Sequence, residues 1–183
     1  MKKVVPIVLA VLLLVSLSFS LPIEDNESPK PNASVKESRM NVFVDLGLAT
    51  GDFKGFLIGF GFQYGFTPDL FGEIEVDINV NPIKSSVTNT AFGVSMNGVY
   101  KIKMSNETKM FVKAGFSSTS LTASYGNVTL ESDSQIGLNA GAGMEFALGK
   151  RIGARVGSTF KLIFDPIENL SYVKFYGGMY YAF

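Results

Sequence analysis

The sequence contains no cysteine and no histidine. Without cysteine, no disulfide framework can hold an exported chain together. Without histidine, the chain lacks the commonest metal ligand and the commonest acid/base side chain. Charge of one sign is not in excess either. Lys plus Arg and Asp plus Glu stand at 16 each, so there is no basic surplus for nucleic acid. The only extended apolar run, the twelve residues Val4 to Val15, falls short of the ~20 that a membrane-spanning helix needs.

That run follows Lys2 and Lys3 and precedes the small residues of Ser18-Phe19-Ser20. This pattern predicts a secretory signal peptide over residues 1–20, cleaved near Ser20, rather than a membrane anchor. The next segment, residues 21–39, reads LPIEDNESPKPNASVKESR, with three prolines, mixed charge and no aromatic residue. It can bury too little apolar surface to fold, and it is expected to be a flexible periplasmic tail. The mature chain of roughly 160 residues suits one domain.

What is abundant is Gly, at 19, and Phe with Tyr, at 16 and 7. From Met40 the hydrophobic period becomes two and stays so, which predicts strands. Val42, Val44, Leu46 and Leu48 alternate with Asn41, Asp45, Gly47 and Ala49. Phe56 to Phe66 alternates with Leu57, Gly59, Gly61, Gln63 and Gly65, and Ile74 to Val80 alternates with Glu73, Glu75, Asp77 and Asn79. Five further segments, around 92–103, 110–117, 135–146, 152–162 and 173–183, bring the count to eight.

Alternation alone fits a barrel with its apolar face inward or outward. Side-chain size separates the two, because the apolar face carries most of the rings and the other face carries Gly, Ser, Asn and charges. Eight strands enclose just enough room for ordinary side chains, so the rings belong outside, against lipid. The fold class predicted is therefore all-β, an eight-stranded antiparallel up-and-down transmembrane barrel over residues 40–183. Closure satisfies every backbone polar group in hydrocarbon, as an open sheet could not. TPDL at 67–70, SNET at 105–108 and GKR at 149–151 read as tight periplasmic turns, whereas 51–54, 81–89, 122–133 and 165–171 read as outward loops. A lipocalin-like soluble carrier, with its rings inside, is the less favoured form of the same pattern.

Signal, tail, eight alternating segments and an aromatic end together resemble the small eight-stranded outer-membrane barrels, the family of the outer membrane protein A, X and W barrels and the opacity-type proteins. The resemblance covers Met40 to Phe183 and implies residence in the cell outer membrane of a Gram-negative envelope. In that family the last strand ends on an aromatic residue with apolar residues two and four before it, and the barrel-assembly machinery reads this signal. Phe183, Tyr181 and Met179 match those positions. The implied partners are outer-membrane lipid and the assembly machinery, with no nucleic acid, and the oligomeric state stays open. One such barrel is a lipid acyltransferase, but that family's catalytic set includes a histidine, absent here. No catalytic residue, metal ligand or cofactor is predicted, and the chain is not expected to be an enzyme. Asn32, Asn106, Asn127 and Asn169 begin N-x-Ser/Thr triplets, which in an envelope protein read as turn chemistry rather than glycan sites.

The inward face carries a lumen charge network of Asp45, Glu73, Glu75, Asp77 and Glu145 with Lys101, Lys103, Lys113, Arg155, Lys161 and Lys174. Glu73 and Glu75 are expected at the depth of Lys101 and Lys103, and the GKR turn would set Glu145 across from Arg155. Paired carboxylates on one strand could serve acid/base chemistry, but lysines opposite them suit charge balance better. The network reads as a cross-linked polar plug in a structural or surface-interaction barrel. A charged path in a narrow, porin-like channel for small or amphiphilic solutes is the alternative.

Overall fold

The computed structural model describes residues 39–83, 87–125, 128–131, 134–165 and 169–183, so the signal peptide and nearly all of the tail predicted before Met40 lie outside the described residues. The strands are β1 (Met40–Gly51), β2 (Gly55–Gly65), β3 (Leu70–Ile83), β4 (Val87–Lys103), β5 (Thr108–Tyr125), β6 (Val128–Glu131), β7 (Gln135–Ala147), β8 (Ile152–Ile163) and β9 (Leu170–Ala182). All pairings are antiparallel between sequence neighbours, except that β5 pairs with β7 below and the short β6 above, and β1 closes on β9. Eight long strands thus form a closed barrel, with β6 a four-residue return along the end of β5.

Alternation places the apolar residues outside. Along β3, Ile74 is 49% exposed while Glu73 and Glu75 are 2% and 1% exposed. A globular protein in water would invert this pattern. Here lipid is the outer solvent, and the charges must find partners inside.

One end is closed by three turns of the same geometry. Phe66 N donates to Leu70 O at 2.9 Å, Met104 N to Thr108 O at 3.0 Å and Leu148 N to Ile152 O at 2.9 Å. Thr67 Oγ1 and Ser105 Oγ accept backbone N–H groups within the first two turns, which is why TPDL and SNET stop their strands there. At the other end, Gly51 has φ 119°, a left-handed conformation in which a side chain is strained, and this lets β1 turn within residues 51–54.

Two of the connections expected to be loops are largely strand. β3 continues to Ile83, which pairs with Val87 at the start of β4, leaving residues 84–86 between them. β5 runs to Tyr125 and folds back as β6, within the predicted loop 122–133. The physical reason is the solvent on the outer face. Beyond Phe116 that face carries Ser118, Ser120 and Thr122, which keep a strand's backbone preference but lose the apolar alternation that marks strands inside a membrane.

Candidate functional site: the charged lumen

Every one of the eight long strands sends side chains into one ionic network. β3 supplies its acidic spine, since Glu73, Glu75 and Asp77 are two residues apart and share the inward face. Small residues on the neighbouring strands leave room for it. A Cβ on Gly59 would stand 3.4 Å from Glu75 Oε1, and one on Gly93 would stand 3.1 Å from Asp77 Oδ2.

Cations reach this spine from the opposite wall. Lys113 of β5 bridges Glu73 at 2.8 Å and Glu75 at 2.9 Å. Lys174 of β9 takes the other Glu75 oxygen and lies 3.7 Å from Asp77. Lys161 of β8 bonds the same Asp77 oxygen, Oδ1. Arg155 of β8 stands between Asp45 of β1 at 3.6 Å and Glu73 at 3.5 Å. A further pair, Lys101 of β4 with Glu145 of β7 at 2.7 Å, is tied in through Gln63. Lys101 Nζ donates to Gln63 Oε1 at 2.8 Å, and Gln63 Nε2 donates to Glu73 Oε2 at 2.8 Å. Asn97 Nδ2 donates to Glu73 Oε1 at 2.8 Å.

Five carboxylates and five cations are therefore buried together. Lys103, expected as a sixth cation, is exposed at the end of β4, opposite Lys109. Removing it from the inward list leaves the interior neutral in net charge.

Two expected pairings are corrected. Glu73 lies across from Asn97, not at the depth of Lys101, which is level with Asp69. The cause is the short link at residues 84–86. A nine-residue loop would allow many registers, whereas continued pairing to Ile83 and Val87 locks this one. Glu145 does lie directly across from Arg155, as the GKR turn requires. The two do not pair with each other, however. Arg155 extends to Asp45 and Glu73, and Glu145 turns to Lys101.

The alternation read from the sequence assigns only Tyr176 and Tyr180 of the rings to the inward face, yet Phe43, Phe71, Phe111 and Tyr172 are buried in the lumen along with Tyr176. Phe43, Phe71, Phe111 and Tyr176 serve the cations. The Arg155 guanidinium carbon is 4.0 Å from the Phe43 ring centre, 5.2 Å from Phe111 and 5.4 Å from Tyr176, while Lys101 Nζ is 4.3 Å from Phe71. Such contacts stabilise charges withdrawn from water. Each ring fits because glycine faces it: Phe43 pairs with Gly61, Phe71 with Gly65, Phe111 with Gly143, Tyr176 with Gly157 and Tyr172 with Gly51. This ring-opposite-glycine pairing is the signal that would have revealed them.

An apolar layer of Ala49, Ile163 and Tyr172, with Phe53 and Leu170, packs over the charges at the loop end. Phe71, Val99, Phe111 and Tyr176 pack among the charges, with Lys101 and Glu145 beyond Val99 and Phe111 toward the turn end. Met179 and Phe183 of the predicted assembly signal face outward at 55% and 45% exposure, and the Tyr181 ring meets Phe183 edge-on at 5.0 Å.

A sequence profile for the outer membrane protein beta-barrel domain matches residues 8–183. The chain belongs to this family. Solved barrels agree in fold. Neisserial surface protein A aligns with TM-score 0.67 at 16% identity, over 79% of this chain and 96% of that one. The N-terminal barrel of Pseudomonas aeruginosa OprF aligns with TM-score 0.62 at 13% identity, over 81% and 100%. Ail, the attachment invasion locus protein of Yersinia pestis, aligns with TM-score 0.53 at 13% identity, over 80% and 98%. No curated protein sequence matches significantly. At these identities the shared feature is the eight-stranded barrel, and membership of the family places the protein in the outer membrane.

Proposed function

We propose that this outer-membrane barrel is a non-catalytic structural and surface-interaction protein whose lumen is a salt-bridged plug. The observation that carries the plug is the set of ten buried charges, five of each sign, drawn from seven of the eight long strands, joined to the eighth through Gln63 and covered by an apolar layer at the loop end. Each of the five buried carboxylates faces a lysine or an arginine, an arrangement that balances charge rather than leaving a reactive group open to substrate. A surface role is supported by the rib formed where β3, β4, β5 and β6 continue past their neighbours, since its outer face near Thr90, Ser118 and Ser120 is polar. Assembly through Met179, Tyr181 and Phe183 completes the proposal: these outward side chains on the closing strand form the address read during insertion.

The test is conductance of the purified protein in planar bilayers. The plug predicts a nearly silent wild type. Steady channels with clear ion selectivity would overturn it in favour of a narrow channel for small solutes.

A further inference from the structure

The outward tyrosines gather at one end of the barrel. Among the described residues, the outward tyrosines Tyr64, Tyr100 and Tyr181 all lie toward the short-turn end, while rings nearer the loop end include Phe56, Phe92, Phe116 and Phe175. Tyrosine is the ring that holds an apolar body in hydrocarbon and a hydroxyl at the headgroups. The same end is basic, with exposed Arg39, Lys103, Lys150 and Arg151 and half-buried Lys109 against the carboxylates of Asp69 and Glu107 and the α-carboxylate of Phe183.

Within this rim one region combines both features. Lys150 and Arg151 form the end of the β7–β8 turn, Ala182 N donates to Arg151 O at 2.7 Å, Phe183 N donates to Met40 O at 3.0 Å, and Gly65 N donates to Arg39 O at 2.6 Å. Around the seam of β8, β9 and β1, Lys150 and Arg151 thus lie on one side of the last residues of β9, and Arg39 on the other, at the start of β1. Arg151 Nη1 lies 3.3 Å from the Tyr181 hydroxyl. Its guanidinium therefore reaches round the outer, lipid-facing circumference rather than into the lumen mouth, and it stands at the level of the Tyr181–Phe183 ring pair.

We propose that this seam, Arg39, Lys150 and Arg151 with the Tyr181 hydroxyl, binds the phosphodiester headgroups of anionic phospholipid in the periplasmic leaflet. A guanidinium holds phosphate in a two-pronged contact, and the adjoining rings fit the acyl chains below the headgroup. The lipid surface is the favoured occupant because the cation shares the height and outward side of the aromatic girdle. The inference rests on placement in the outer membrane and is independent of whether the lumen is closed.

The experiment places the full protein in mixed phosphatidylcholine and phosphatidylglycerol bilayers and counts retained lipids by native mass spectrometry. Wild type should retain phosphatidylglycerol preferentially. Arg151→Gln should lower that preference about threefold to fivefold, and the triple Arg39→Gln/Lys150→Gln/Arg151→Gln should lower it at least about tenfold, since each cation near an anionic surface adds about one such factor. Tyr181→Phe, which keeps the ring, should give a smaller loss, and Lys54→Gln at the opposite rim should give none. Heat-dependent gel mobility checks that each variant is folded. If the triple does not fold, the single variants decide the question. Equal retention in wild type and Arg151→Gln would overturn the assignment. So would complete displacement of the lipid by inorganic phosphate, which would mark a free-phosphate site, or loss of binding to peptidoglycan sacculi in the same variants with lipid retention unchanged.

Discussion

The Lys101–Glu145 pair offers the sharpest test of the lumen's wiring. Its groups approach to 2.7 Å, and their side chains are 3% and 5% exposed. At that distance and an effective dielectric of about 20, the gross attraction is roughly 6 kcal/mol. Desolvation offsets most of it, so the net worth of the pair is small, but breaking one side leaves an unmatched buried charge. Lys101→Met and Glu145→Leu should each cost about 3–5 kcal/mol. Lys101→Met strands the Glu145 carboxylate. In Glu145→Leu the ammonium keeps only Gln63 Oε1 and the face of Phe71. The double variant should lie within about 1 kcal/mol of wild type, because apolar side chains of similar volume often replace a buried pair without loss. The coupling is therefore at least about 5 kcal/mol. The protein has no Trp, so urea unfolding in vesicles should be followed by far-UV circular dichroism and gel mobility. Simple additivity of the two single costs would refute the pairing. The same cycle on Glu145 and Arg155 discriminates further. Exchanging those two charges places a carboxylate beside Asp45 and Glu73 and a guanidinium beside Lys101, so it should destabilise more than either single change.

Other outcomes follow from the same geometry. Lys113→Met removes the cation shared by Glu73 and Glu75, so it should lower stability by about 3 kcal/mol or more and produce intermittent conductance in planar bilayers. A Cβ at Gly61 would lie 2.0 Å from Phe43 Cζ, so Gly61→Ala should cost about 1–3 kcal/mol in urea unfolding, with much of it recovered in Gly61→Ala/Phe43→Leu. Phe183→Ala should reduce insertion in cells far more than refolding into micelles, and equal losses in both assays would leave only its packing role. The folded barrel should migrate differently on gels before and after boiling, and recovery of the mature chain as a soluble monomer without detergent would contradict the lipid-facing rings.

Period-two alternation was sufficient to settle the architecture, because in a membrane barrel one face meets hydrocarbon and the other meets its own polar groups, and that contrast is written directly into consecutive residues. Strand number, the outward placement of Leu46, Ile74 and Phe175, and the inward placement of Glu73, Glu75, Asp77, Arg155 and Lys174 were all legible there. Alternation faded where its physical cause ended, along Ser118 to Thr122, since the outer face of a strand beyond the bilayer meets polar surroundings. Tertiary structure alone decided which charges pair. Alternation assigns a side chain to a face but not to a partner, and a lysine or arginine is long enough to cross a narrow lumen, so Arg155 passes over its neighbour Glu145 to reach Asp45 and Glu73. The buried rings were hidden for a related reason. Phe43, Phe71 and Phe111 break the polar pattern of the inward face, and room for each comes from a glycine on the adjoining strand, which only the register between strands brings opposite.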